Sequence, residues 1–449
     1  MARYAHIVGW GMSVPKRVMT NDDWARLVDT SDEWIVSRTG IRQRHFVGEY
    51  DSTMTLALEA GRQALDVAQL SPAQLDLIIV ASVTPEYAFP ATACLVQDRL
   101  GAVNAAAFDL SAGCSGFIYG LSMAADYIRA GSGRHALVIG AETLTRIMDW
   151  SDRNTCVLFG DGAGAVVVSG SEMPGGILSS VLGADGSGGD LLILPGGGSK
   201  NPTSHETVDK KLHYLRMNGR EVFRFAARTM DKAARLACQK ANIALEDIEL
   251  LVPHQANDRI IQSAAKALNL PESKVYINLE RYGNTSAASV PIALCEAIQK
   301  GRVRRNDHVV LVGFGAGLTW GAMVIQWSLP LPLAPRSWWR RLLRWLYYRW
   351  AEARSRSTRL RRRVEDWRSR EDTNGHHRAQ RPSAPAARQV PAAPQAPRPP
   401  ASAPAAPVTP QPPTPAPAAP PPAEPEASAP ADQGSAAPEP TDKGEQHGQ

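Results

Sequence analysis

The sequence lacks the features that mark secreted, metal-binding and disulfide-bonded proteins. Its five cysteines, Cys94, Cys114, Cys156, Cys238 and Cys295, are widely spaced and form no CxxC pair, so neither a disulfide framework nor a metal site is predicted. A secretory signal carries a long apolar run and a small-residue cleavage site, and the opening residues, MARYAHIVGWGMSVP, have neither. We therefore expect a cytoplasmic protein without a bound metal.

A strong charge of one sign is also missing from most of the chain. The 449 residues carry 49 Lys and Arg against 44 Asp and Glu, a net charge of +5. Residues 331–449 alone hold 18 basic and 11 acidic side chains, which leaves residues 1–330 close to neutral. The excess positive charge therefore belongs to the C-terminal part, and nothing in the first 330 residues suggests binding to nucleic acid.

Residues 1–330 alternate short apolar runs with segments of helical period. The runs, DLIIVAS, HALVIGAE, AVVVS, ELLVPH and HVVLVGFG, contain little polar alternation, which is typical of strands that are covered by helices on both faces. Glycines mark the junctions. The pattern predicts an α/β fold with buried sheets.

A faint internal repeat divides this region. LSPAQLDLII resembles IALEDIELLV, and in each half a helical segment then ends at a glycine, Gly131 or Gly301, before another strand. Cys114 and Asn284 each precede their glycine by 17 residues. A duplicated fold would place these two residues at equivalent helix starts. We predict halves at residues 1–172 and 173–330.

The composition changes after Pro330. Residues 331–372 form a basic, aromatic, helix-like segment, whereas 381–440 contain 21 prolines in 60 residues and almost no large apolar side chain. Such a composition cannot build a core. We predict a disordered, partly polyproline-like tail over residues 373–449.

Cys114 lies in DLSAGCSGF, where small residues precede an amphipathic pattern. A cysteine at a helix N-terminus has its thiolate favoured by the helix dipole and free amides, and thiolate is the nucleophile in thioester exchange. A buried structural cysteine is the alternative, and this motif alone does not decide between them.

Three further motifs carry polar or glycine-rich loops after strands. LVPHQAND places His254 at a strand end, RYGNTSAAS presents Asn284 before a helix, and VGFGAGLTWG offers backbone amides for a substrate oxygen. Each has an ordinary reading as a structural histidine, a capped turn or a tight loop. The phosphate-loop pattern GxxxxGK[ST] is absent from the last motif.

Together these four motifs resemble the ketoacyl-ACP synthase III family of condensing enzymes, collinearly over about residues 4–327. TSDEWIVSRTGIRQRH, AFPATAC, LFGDGAGAVVV and ADGSGGDLLILPGGG extend the likeness. The resemblance implies the thiolase fold, two duplicated halves in a layered αβαβα structure, a homodimer and no cofactor. The implied reaction joins an acyl group from acyl-CoA, such as acetyl-CoA or another short primer, to malonyl-ACP with release of carbon dioxide, which starts fatty-acid synthesis.

The resemblance also assigns roles to individual residues. Cys114 is implied as the acylated nucleophile, with His254 and Asn284 binding the malonyl thioester carbonyl, and the amides of Cys114 and Ala316 as the oxyanion hole, where many relatives have glycine in place of Ala316. The remaining implied sites are coenzyme A contacts at Trp34, Arg38 and Arg153, an acyl-pocket residue that reaches across the dimer, Phe89, and carrier-protein docking residues, Arg224, Arg259 and Lys266.

The Cys, His, Asn set separates this family from thiolases, which use a second cysteine, and from elongating synthases, which use two histidines. Two alternatives stay open. One is a specialised relative that makes a secondary metabolite or condenses longer acyl chains. The other is an inactive scaffold that works through its tail.

Residues 337–370 include SWWRRLLRWLYYRW and then RLRRR. The run is too charged and too short to span a bilayer, but its tryptophans and arginines suit a helix that lies on an anionic membrane. The alternatives are a helix that packs on the enzyme body or on a dimer partner, and a nucleic-acid contact.

Overall fold

The computed structural model describes residues 4–328 and 338–379, and in the last segment it describes side chains at 339 and 342–365. Within these residues the strands are β1 Tyr4–Ser13, β2 Arg17–Thr20, β3 Gln43–Phe46, β4 Leu77–Ala81, β5 Ala106–Leu110, β6 His135–Thr143, β7 Asp161–Ser171, β8 Gly176–Ala184, β9 Leu192–Ile193, β10 Arg216–Met217, β11 Leu250–Pro253, β12 His308–Gly315 and β13 Thr319–Gln326. The five apolar runs singled out in the sequence are β4, β6, β7, β11 and β12.

The α-helices of the same residues are α1 Asn21–Ala25, α2 Asp32–Thr39, α3 Thr53–Ala68, α4 Thr92–Leu100, α5 Gly116–Arg129, α6 His205–Asp209, α7 Gly219–Ala241, α8 Asp258–Ala267, α9 Leu279–Tyr282, α10 Ser289–Gln299 and α11 Trp338–Ala379. A 3₁₀ turn, Ser286–Ala288, leads directly into α10. The described residues up to 376 belong to one compact unit, and 377–379 are the end of α11.

Two sheets repeat the same plan. The first has the order β1-β7-β6-β4-β5, and the second has β8-β13-β12-β11. In each sheet the pairings run antiparallel, antiparallel and then parallel along this order. The internal repeat is therefore a duplicated fold, and Cys114 and Asn284 precede equivalent helices, α5 and α10.

Alternate residues of one strand face different layers. Ile79 in β4 contributes to the core shared by α5, α10 and both sheets, whereas Ile78 packs in the outer layer with α3 and α4. In β12, Leu311 faces the same inner core, and Val310 faces the outer layer of α7 and α8. This pattern gives the αβαβα layering and explains why the strand sequences are apolar without alternation.

Helix α11 packs on the outer layer of the first half. Tyr348 packs into the core of α3 and α4, Ala351 is buried, and the Tyr347 hydroxyl donates to the Gly101 carbonyl at 2.8 Å. Arg344 pairs with Asp66 at 2.7 Å. Ser355 and Arg359 both reach the Asp98 carboxylate, at 2.6 and 2.7 Å.

One face of α11 thus packs on the protein body, as the packing alternative predicted, and the helix continues past the predicted end of the basic segment at 372. Across the described residues, no helix combines the length and apolar character needed to cross a membrane. The proline-rich region predicted to be disordered lies, from residue 380 onward, outside the described residues. The predicted boundary between the halves, at 172/173, stays a prediction; β7 ends at Ser171 and β8 begins at Gly176.

Candidate active site

Cys114 lies in the turn between β5 and α5, directly before the helix cap Ser115. Its side chain is only 7% exposed. Because α5 is a full helix of 14 residues, its N-terminal amides place positive potential at this turn. The predicted helix start is confirmed, whereas the nucleophilic role stays a prediction.

The expected low pKa of this thiol is wrong for the structure. Burial raises the pKa of Cys114 to about 12, and the nearby carboxylate of Glu142 acts in the same direction. A hydrogen bond with Ser286 lowers the pKa by more than Glu142 raises it, but by less than burial does. The resting form of Cys114 is therefore the neutral thiol.

The backbone of the glycine-rich loop after β12 is in direct contact with the backbone at Cys114. A Cβ on Gly315 would lie 2.3 Å from the amide nitrogen of Cys114, and a Cβ on Gly113 would lie 2.5 Å from the amide nitrogen of Ala316. No side chain fits at either position. The two glycines thus bring the amides of Cys114 and Ala316 together, from different halves of the fold.

His254 follows β11 and is 1% exposed. Its Nδ1 lies 2.6 Å from the Ser289 hydroxyl, and its Nε2 has no hydrogen-bond partner within the part of the chain that the structure describes. Phe314 packs edge-on against the ring, with centroids 5.2 Å apart. Burial lowers the pKa of His254 to about 3, so the imidazole is neutral at physiological pH.

The surroundings of Ser289 favour one tautomer of this histidine. The hydroxyl oxygen of Ser289 accepts from the Gln255 backbone N–H at 3.4 Å. The same hydroxyl can donate its proton to Nδ1 of His254, and in that arrangement the ring proton lies on Nε2. Nε2 is then a hydrogen-bond donor.

Asn284 lies in the loop before α10 and is 7% exposed. Its Oδ1 accepts from the Ser286 backbone N–H at 2.8 Å, and its own backbone is fixed between Leu158 and Gly160. Because the oxygen is engaged, the amide Nδ2 is the atom left to donate to a ligand.

Glu142, at the end of β6, is a buried acid that the sequence reasoning missed. Its carboxylate accepts from the hydroxyls of Thr84 and Ser286, at 2.5 and 3.0 Å, and from the backbone N–H of Val83 at 3.2 Å. Burial nevertheless raises its pKa to about 7. It joins the loop after β4 to the 3₁₀ turn after Asn284, and its only sequence signal was a single acid ending an apolar strand.

Cys114, His254 and Asn284 line one cavity of about 860 Å³. All three are buried, whereas Trp34 is half-buried and Arg38 is exposed in the same cavity. The cavity therefore runs from an exposed aromatic and basic mouth to the three polar groups. Further lining residues, to which the sequence analysis gave no role, are Asn154, Asp190, Arg216, Arg220, Phe223 and Phe314.

The mouth places two guanidinium groups near one indole. Those of Arg38 and Arg153 lie 4.7 and 5.3 Å from the Trp34 ring centroid. Arg153 does not line the cavity itself and is also held by Asp29, at 2.9 Å. The three residues predicted to contact coenzyme A are thus adjacent.

The three predicted docking residues, Arg224, Arg259 and Lys266, are exposed, and none lines the cavity. Arg224 pairs with Glu221 at 2.7 Å, and Arg259 donates to the Ser37 carbonyl at 2.6 Å. Only Lys266 has no pairing among the described residues. Phe89 also stays outside the cavity and is 86% exposed.

Two family models match the chain: 3-oxoacyl-[acyl-carrier-protein] synthase III over residues 108–186, and the C-terminal part of the same enzyme over 238–327. The β-ketoacyl-[acyl-carrier-protein] synthase III of Caldanaerobacter subterraneus subsp. tengcongensis is 56% identical over 324 residues, which cover 72% of this chain and 98% of that protein. The chain belongs to the β-ketoacyl-ACP synthase III family. It is an acyltransferase-type condensing enzyme with the thiolase fold.

Solved structures agree with this assignment. The 3-oxoacyl-ACP synthase III of Aquifex aeolicus matches with a TM-score of 0.67 and 48% identity, over 72% of this chain and 99% of that one. The priming β-ketosynthase of the R1128 polyketide pathway matches with a TM-score of 0.69 and 37% identity, over 74% and 98%. Among the described residues of this synthase III family member, no group of His, Cys, Asp or Glu is arranged to hold a metal ion.

Proposed function

We propose that the chain condenses an acyl group held on Cys114 with the malonyl group of malonyl-ACP, giving 3-oxoacyl-ACP and carbon dioxide and so starting fatty-acid synthesis. The observation that carries the proposal is the single cavity that joins Cys114, a neutral His254 and Asn284 to a mouth formed by Trp34 and Arg38.

In the first half-reaction the sulfur of Cys114 attacks the thioester carbonyl of an acyl-CoA. The oxyanion of the tetrahedral intermediate accepts hydrogen bonds from the amides of Cys114 and Ala316, and collapse expels coenzyme A as the thiol, which carries away the proton of Cys114. Because the resting thiol has a raised pKa, the amides of the α5 N-terminus matter most as negative charge develops on sulfur and oxygen.

In the second half-reaction the bond between the malonyl carboxylate and its α-carbon breaks, and the electron pair becomes an enolate. Nε2–H of His254 and Nδ2–H of Asn284 donate to the enolate oxygen. A neutral imidazole suits this role because its Nε2–H donates a hydrogen bond to the enolate while the ring itself stays uncharged. The α-carbon then attacks the acyl carbonyl, the bond from that carbon to the sulfur breaks, and Cys114 leaves as a thiolate that takes a proton from water.

The mouth suits a planar, anionic nucleotide. Trp34 offers an aromatic face for the adenine of coenzyme A, and Arg38 and Arg153 place two positive charges beside it. This arrangement supports acyl-CoA as the donor.

Two partners are proposed on weaker grounds. Lys266, Arg259 and Arg224 are exposed basic side chains of the kind that suits docking of the acidic carrier protein. Phe89, exposed on its own protomer, would enter the acyl pocket of a second copy in a homodimer. Because Arg259 also holds the Ser37 carbonyl, Lys266→Glu is the cleaner test of docking.

The function is tested by incubating the full-length protein with a panel of acyl-CoAs and malonyl-ACP and measuring the products by mass spectrometry. We expect a 3-oxoacyl-ACP two carbons longer than the primer. His254→Ala and Asn284→Ala should each lower condensation by about a hundredfold or more while Cys114 still accepts acyl groups. If either variant failed to acylate Cys114 but still decarboxylated malonyl-ACP at the normal rate, the proposed division of roles would be wrong.

The same panel addresses the alternatives. The likeness to the R1128 priming ketosynthase favours a test of branched and longer primers for a specialised role. No acylation of Cys114 by any acyl-CoA, with the protein folded, would favour the inactive scaffold.

A further inference from the structure

Helix α11 presents an apolar stripe on the side that does not contact the protein body. Leu342, Leu346 and Trp350 follow one another at four-residue spacing, with Leu343 beside them, and all four are exposed. At 3.6 residues per turn they lie about half a turn away from the docked residues Arg344, Tyr348, Ala351 and Ser355. The helix is therefore held on one side and open on the other.

The stripe is flanked by positive charge. Six exposed arginines of α11 between 342 and 365 have no hydrogen bond or ion pair to the protein body among the described residues, although Arg349 pairs with Glu352 of the same helix at 3.6 Å: Arg349, Arg354, Arg356, Arg361, Arg362 and Arg363. The guanidinium groups of Arg349 and Arg354 lie 5.9 and 5.5 Å from the rings of Trp345 and Trp350. The acids of the same segment are Glu352, which pairs with Arg62 at 3.4 Å, and Glu365.

We infer that the outer face of α11, formed by Leu342, Leu343, Leu346 and Trp350, binds the surface of an anionic lipid bilayer. The leucines and the indole enter the boundary between headgroups and acyl chains, and the flanking arginines pair with lipid phosphates. The docked face stays on α3 and α4, so the condensing enzyme lies against the membrane without crossing it.

The charges decide between this occupant and two others. If a second copy of the chain covered this face with its own α11, the arginines of the two helices would face each other, and their like charges would repel. Nucleic acid binds arginines equally well but stacks its bases on aromatic rings, whereas three of the four stripe residues are leucines. A lipid surface satisfies both the leucines and the arginines.

The test is co-sedimentation of the full-length protein with vesicles at low salt. The protein should sediment with vesicles of phosphatidylglycerol and phosphatidylcholine and stay in solution with phosphatidylcholine alone. The triple substitution Leu343→Ser, Leu346→Ser and Trp350→Ser should weaken binding by about tenfold or more. A matched control, Val208→Ser with Leu236→Ser, removes two exposed apolar side chains of α6 and α7 and should bind like the wild type.

A second variant keeps the stripe and removes charge. Arg349→Gln, Arg354→Gln and Arg356→Gln together should weaken binding by about tenfold or more and reduce its dependence on salt. These exposed positions tolerate glutamine in a helix, so this variant keeps the test decisive if the serine variant does not fold. Condensing activity in solution should be unchanged in both.

Four results would overturn the inference. The wild type does not sediment with anionic vesicles, or the serine variant sediments as well as the wild type, or the glutamine variant binds as tightly as the wild type. The fourth is that light scattering shows a smaller assembly for the serine variant, which would assign the stripe to contact between copies. None of these results bears on Cys114, so failure here and failure of the proposed condensation remain distinguishable.

Discussion

Removing the Ser289 hydroxyl tests how the structure controls His254, the histidine proposed to act in catalysis. Ser289→Ala leaves Nδ1 of His254 without its partner at 2.6 Å and removes the group that favours the proton on Nε2. A lost buried hydrogen bond costs about 1–3 kcal/mol. If the substitution destabilises the tautomer with its proton on Nε2 by that amount, the decarboxylation rate should drop by about 5- to 150-fold.

The assay compares two rates in one protein: acyl transfer to Cys114, followed by intact mass, and release of carbon dioxide from malonyl-ACP. Only the second should fall, because Ser289 does not touch Cys114 or the oxyanion hole. The pH profile of decarboxylation in the wild type should show no step from His254 between about pH 5 and 8, since burial holds its pKa near 3; a step near pH 7 that disappears in Glu142→Gln belongs to Glu142.

Ser122→Ala is a matched control. Ser122 is also a buried serine on an inner helix, bonded to Ser180 at 2.8 Å, and it does not line the cavity. It should lower stability by a similar amount and leave both rates intact. The reasoning fails if Ser289→Ala decarboxylates at the wild-type rate, or if it loses acyl transfer to the same extent.

Four further outcomes are expected. Cys114→Ser should abolish acylation, seen by intact mass, and keep the fold, because a serine hydroxyl is a weaker nucleophile than a thiol at any accessible pH. Gly315→Ala should slow both half-reactions and also lower stability, since its Cβ would lie 2.3 Å from the Cys114 amide nitrogen and only backbone atoms could move aside; unchanged rates in the folded variant would argue against the oxyanion hole. A folded pKa of about 7 for Glu142, above the unfolded value of 4.5, means that this acid costs stability as pH rises from 5 to 8. In urea titrations the free energy of unfolding of Glu142→Gln should therefore rise by about 3 kcal/mol relative to that of the wild type between pH 5 and 8. A difference between the two proteins that does not change with pH would exclude the raised pKa. Tyr348→Ala should speed hydrogen exchange in α11 alone and leave condensation unaffected, because a large buried ring is lost only from that contact; exchange unchanged throughout α11 would show that the ring does not hold the helix.

The sequence was enough to predict the layers and the position of the main polar groups. Buried strands read as apolar runs, and equal spacing from Cys114 and Asn284 to their glycines reflected two equivalent helices. These features are local or periodic, so they survive in the order of residues.

The ionisation of the site was not predictable in the same way. A helix start suggested a low pKa for Cys114, but burial and the carboxylate of Glu142 reverse that effect. Both depend on residues brought together by the fold, since Glu142 and Ser286 are 144 residues apart. The same holds for α11, whose composition predicted a helix but could not indicate that Asp98 and Gly101 would receive one of its faces.

The proposed oxyanion hole takes one amide from each half of the duplicated fold. On that proposal neither half carries a complete reaction: the first holds the nucleophile, and the second supplies the loop with Ala316 as well as His254 and Asn284. The two halves share one arrangement of strands, but on this mechanism they are not interchangeable. A severed N-terminal half should hold a cysteine that no thioester can acylate efficiently, however well it folds.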